Sequence, residues 1–64
     1  MNANTPHEIL VEYKQVGNAL RVTAVEPISG TEIIFQAPLN THTVTLNRIA
    51  ASKMRYVMEK KSRQ

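Results

Sequence analysis

The 64-residue sequence contains no cysteine and no aspartate, and it has only two glycines. Without cysteine there are no disulfides, no thiolate nucleophile and no cysteine zinc site, a composition that suits the cytosol. Without aspartate no His/Asp pair can form, and every acidic residue is a glutamate. Gly17 and Gly30 lie thirteen positions apart, too far to share a phosphate-binding loop. No apolar run approaches the ~18–20 residues of a membrane span, so a soluble chain is expected. The opening residues Met1–His7 carry neither the charged nor the apolar region of a signal peptide, and a cytoplasmic location follows as the expectation.

Against these absences stand sixteen Ile, Leu, Val and Phe residues, a quarter of the chain. That fraction lies above the roughly 20% below which disorder is the better reading. A core is therefore expected, though a thin one, since a 60-residue chain hides only ~60% of the surface it exposes when unfolded. The length leaves room for one domain. Residues 1–7 are small and polar with no apolar period, a disordered lead-in; residues 8–62 form the domain, and 63–64 a tail.

The domain begins with a hairpin signal. Ile9, Val11 and Tyr13 alternate with polar residues, and so do Leu20, Val22 and Ala24. Gly17-Asn18 between them suits a two-residue type II′ turn. Setting Val16 opposite Ala19 puts Tyr13 opposite Val22 and Val11 opposite Ala24, so one face collects the apolar residues. A second turn at Pro27-Ile28-Ser29-Gly30 sets Glu26 opposite Thr31, Ala24 opposite Ile33 and Val22 opposite Phe35, again on that face. Pro38 lacks the N–H for a ladder and ends the third strand.

From Thr41–Thr43 onward a helix is expected. Leu46, Ile49, Ala50, Met54, Val57 and Met58 recur at helical spacing, and Lys53 falls within the same stripe, where its stem can run along apolar surface. Asn40, Thr41 and Thr43 are candidate N-caps. The β-branched run Thr41–Leu46 leaves a short fourth strand as the alternative start. The fold class is α+β: a three-stranded antiparallel meander with one C-terminal helix packed on one face, in the order β-β-β-α. Tyr13 and Phe35 are expected in the core and Tyr56 at the helix–sheet margin.

Val16-Gly17-Asn18, Arg21–Pro27, Ser29–Glu32, Ala37-Pro38 and Lys53–Val57 carry a likeness. Over residues 9–60 the chain resembles a family of small uncharacterised alphaproteobacterial proteins, a domain of unknown function. The resemblance implies a bacterial, cytoplasmic source and no particular activity.

Chemistry finds little to work with. Ser29, Ser52 and Ser62 have no base at a telling spacing, and His7 and His42 fall in loop or helix-start positions. Two histidines so far apart do not make a metal site. No catalytic residue, metal or cofactor is expected, and the chain is read as a non-enzyme.

Two surfaces remain. Residues 48–64 hold Arg48, Lys53, Arg55, Lys60, Lys61 and Arg63 against Glu59 alone, whereas residues 1–47 have a net negative charge. Contact with a nucleic-acid backbone would run through Arg55, Lys60, Lys61 and Arg63; a solvated helix face is the plainer reading. The sheet face away from the helix would carry Leu10, Val25 and Ile34 among charged residues, a protein-partner or homodimer surface, or simply a solvated face with scattered aliphatics. The first expectation is a protein-interaction module, and the second is nucleic-acid binding by the basic helix.

Overall fold

The structure, a computed structural model, describes residues 8–62; the expected lead-in 1–7 and tail 63–64 lie outside the described residues. Three strands and a helix follow in order: β1 Leu10–Val16, β2 Ala19–Glu26, β3 Thr31–Pro38 and α1 Thr43–Ser62. The strands form one antiparallel sheet in the order β1-β2-β3, the expected β-β-β-α fold.

Turn chemistry and alternation agree on register. Val16 pairs Ala19, Tyr13 pairs Val22 and Val11 pairs Ala24. Gly17 takes a φ of 63° and Asn18 does not share the left-handed region, which fits a II′ loop and excludes I′. Across the second loop Glu26 pairs Thr31, Ala24 pairs Ile33 and Val22 pairs Phe35. There the Gly30 amide donates to the Glu26 carbonyl at 2.8 Å, with Gly30 at φ 75°. A side chain at Gly30 would meet open space, so only backbone conformation demands glycine.

The helix packs on the face that period-2 alternation makes apolar. Leu46, Ala50 and Met54, spaced four apart, are its buried residues. Leu46 packs with Val22 and Ala37, flanked by Val11, Leu20 and Phe35. Ala50 and Met54 pack with Ala24, flanked by Ile9, Val11, Ile33, Phe35 and Met58. Val11 and Phe35 thus touch both halves of the core. Ala24 and Ala50 are fully covered, and two side chains that small let the helix lie close over β2.

Two expectations need correction. Tyr13 is not in the core: it is 39% exposed, because α1 lies over β2 and β3 and leaves the β1 edge open. Its ring sits at the margin and its hydroxyl donates to Asn47 Oδ1. The N-cap also differs, although α1 begins at Thr43, within the expected Thr41–Thr43. The first helical bond runs from the Leu46 amide to the His42 carbonyl at 3.0 Å, making His42 the N-cap position. Thr41 is committed elsewhere, with its amide and hydroxyl both donating to the Pro38 carbonyl at 3.0 and 2.8 Å. That closure, with α1 beginning at Thr43, rules out the short fourth strand.

Removing the stripe should unfold the domain. Leu46→Ala is expected to lose about 3–5 kcal/mol, and half-buried Phe35→Ala about 3 kcal/mol, each a large fraction of the stability available to a small domain. Urea unfolding measures both; a Leu46→Ala chain with the parent midpoint would contradict this core.

Candidate functional site

The open sheet face is built by the same alternation that builds the core. On the strands' other parity, Leu10 stands opposite Val25 and Val25 opposite Glu32. The next row sets Glu12, Thr23 and Ile34 side by side, and the next Lys14, Arg21 and Gln36. A fourth row holds Val16, Ala19 and Pro38. Leu10, Ile34 and Val16 are 51%, 55% and 45% exposed, while Val25, on the central strand, is half-buried by its neighbours. Acidic residues occupy the first two rows and basic residues the third. Among the described residues no ion pair holds the side chains of Glu12, Lys14, Arg21 or Glu32.

A groove leads off this face around the β3 edge. Ile33, Ile34, Ser52, Lys53, Tyr56 and Val57 line it, so Ile34 belongs to both surfaces. Lys53 behaves as its helical angle implies, extending until its Nζ lies 5.8 Å from the Phe35 ring centre. Tyr56 is 62% exposed at the helix–sheet margin, where it was expected.

The basic end of α1 is less uniform than its sequence. Arg48 and Arg55 are exposed on the helix. Lys60 Nζ lies 5.5 Å from the Tyr56 ring centre, a cation–π contact. Lys61 turns toward the sheet and donates to Thr31 Oγ1 at 3.2 Å. Arg63 lies outside the described residues.

Lys61 ends a polar chain at the second loop. Glu26 is 2% exposed and Thr31 3%. The Glu26 carboxylate accepts from the Ile28 amide at 3.0 Å, the Ser29 amide at 2.9 Å and the Ser29 hydroxyl at 2.6 Å. Ser29 Oγ lies 2.7 Å from Thr31 Oγ1 and also accepts from the Thr31 amide at 3.2 Å. A buried carboxylate is tolerated only when hydrogen-bonded, and here the loop supplies donors from its own backbone. No group of three metal-ligating side chains occurs among the described residues.

A family model for a domain of unknown function, DUF6898, matches residues 6–61. The chain belongs to that family. The match contains all three strands and nearly the whole helix, and so spans both surfaces and the polar cluster. No curated protein and no solved structure matches the chain.

Sequence reading did not single out this member's Glu26 cluster, although its signals are present. Glu26 continues the inner-face series Leu20, Val22, Ala24, and Lys61 stands seven residues after Met54 on the same helix face. Both charges therefore fall on the apolar side of their elements. Glu26→Gln should destabilise the domain by about 1–3 kcal/mol, because it takes charge-assisted acceptance from buried donors. Lys61→Ala, at an exposed residue, should lose less than about 1 kcal/mol. Thermal unfolding distinguishes them; equal and negligible shifts would show that the cluster does not brace the loop.

Proposed function

We propose that the chain is a non-enzymatic protein-interaction module, and that its contact surface is the sheet face which α1 leaves uncovered. The observation that carries this reading is the exposure of Leu10 and Ile34 around half-buried Val25, in one patch on regular strands. Apart from Ile34, apolar side chains stand at fixed register in the end rows of the face, with charged rows between them, a mixed exposed surface that a partner can cover. A non-enzymatic role fits the inventory, since Glu26, the buried carboxylate, is engaged by its own loop. The bacterial cytoplasmic setting implied by the resemblance belongs to the same proposal. No helix among the described residues is long and apolar enough to cross a membrane.

Photo-crosslinking in cells tests the surface. A photoreactive residue at Ile34 should give protein adducts, and the same residue at Arg48 on the solvent side of the helix should give few. Equal yields from both positions, or none from Ile34, would contradict a sheet-face contact.

A second reading is favoured by one observation, the exposed Arg48 and Arg55 on a helix whose last turn is basic. Through them, with Lys60, Lys61 and Arg63, the chain would contact a nucleic-acid backbone. Affinity for duplex DNA should then fall with salt at a slope of roughly −0.9 per phosphate neutralised, with little sequence preference. Changing Arg55 and Lys60 to Ala should lower that slope while leaving the melting curve in place. Undetectable binding at low salt, or an unchanged slope, eliminates the nucleic-acid reading.

A further inference from the structure

Resting on the reading of the open face as a contact surface, we infer that the occupant of that face is a second copy of this chain. The two copies are related by a two-fold axis that lies in the interface and runs across the strands.

The argument is charge and apolar complementarity read off the register. For two faces packed with their strands aligned, a two-fold between them runs either along the strands or across them. An axis across the strands keeps β1 over β1 and β2 over β2 but reverses their direction. The four rows then exchange: the first faces the fourth and the second faces the third. Glu12 meets Lys14 of the second copy, and Lys14 meets Glu12 of the second copy, so one charge pair occurs twice. Leu10 meets Val16 of the second copy and Val25 meets Ala19 of the second copy, aliphatic against aliphatic, while Arg21 meets Thr23, Glu32 meets Pro38 and Ile34 meets Gln36. An axis along the strands does the opposite: it stacks Arg21 on Arg21 and sets Leu10 over Glu32 and Glu12 over Ile34. Electrostatics selects the first arrangement, because like charges facing each other penalise an association strongly.

The isolated chain shows what the second copy corrects. Lys14 stands directly opposite Arg21, two like charges on neighbouring strands. No ion pair among the described residues relieves them. In the dimer a glutamate arrives beside Lys14 from across the interface. The geometry suits aligned sheet packing, with strand directions within about 30° and sheets ~10 Å apart, a gap that Lys and Glu side chains span together.

Sedimentation equilibrium on the full chain, up to roughly millimolar concentration, should show a dimer. Glu12→Lys alone and Lys14→Glu alone each turn two attractions into two repulsions, and each should weaken self-association at least about tenfold. Mixing the two variants restores opposite charges at both contacts and should recover a heterodimer of near-parental affinity. Should either variant fail to fold, the unaltered protein still decides. Leu10 and Val16 lie six positions apart on one extended strand, ~20 Å by strand rise, so a nuclear Overhauser effect between their methyls can arise only between copies. Isotope-filtered spectra of a mixed-label sample should contain it. A monomer at millimolar concentration overturns the inference, as does a dimer lacking the Leu10–Val16 contact or indifferent to both charge reversals. If crosslinks at Ile34 then reach other proteins, the interaction surface stands and only its occupant is wrong; if Ile34 gives none, the surface itself is wrong.

Discussion

The contact on which the rest of this structure depends is the seating of Leu46, Ala50 and Met54 over Val22 and Ala24. Among the described residues, one helix of twenty residues is the whole second layer. Three strands offer two faces, and the described residues cover one of them. The buried face can be small because two of its central residues are alanines, which draw the helix onto β2 and let Phe35 and Val11 close the sides. Everything else follows from that economy of cover: the open β1 edge, the exposed Tyr13 ring and the bare outer face.

The register was legible in the sequence because two unrelated signals specify it. Each loop fixes which residues pair, and alternation fixes which face they show; a one-residue slip would have scattered Val11, Val22 and Phe35 over both faces. Alternation cannot say how far a helix reaches sideways, and so Tyr13, on the correct face, still lies at the margin. The helix cap was hidden for a different reason. Thr41 has the chemistry of a cap, but its hydroxyl closes the turn after Pro38, and that competition is settled by geometry rather than residue type. Glu26 and Lys61 were obscured by their charge. Their positions on the apolar faces were plain, yet a charged residue is ordinarily read as solvated unless its partners are known.

Those two residues also change the meaning of the charge distribution. As a string, the chain has a basic quarter at its end. In the fold that quarter divides: Lys61 joins the loop around Glu26 and Thr31, Lys60 lies over Tyr56 and Lys53 over Phe35, while Arg48 and Arg55 have no partner among the described residues. The open sheet face, by contrast, balances Glu12 and Glu32 against Lys14 and Arg21. It is neutral in sum and dipolar along the strands. A surface that only needed to stay solvated would gain nothing from segregating its signs by row, whereas an interface uses such segregation to set orientation.

Face-on association is also the mode that the strand edges leave open. β1 and β3 are both edge strands, and unpaired edges invite further pairing unless something blunts them. The β3 edge ends at Pro38, which has no N–H to give, and carries Glu32 near its start. β1 carries Glu12 and Lys14 in mid-strand, where an added strand would have to accommodate both signs in sequence. Edge pairing draws on backbone groups that any strand offers, so it specifies little. Stacking through the face draws on Leu10, Glu12, Lys14 and Val16 in one order, and that order reads the same when the strand is reversed and the charges exchanged. The constraint that leaves the face bare, one helix for two faces, thus also leaves on it a pattern that a second copy can match.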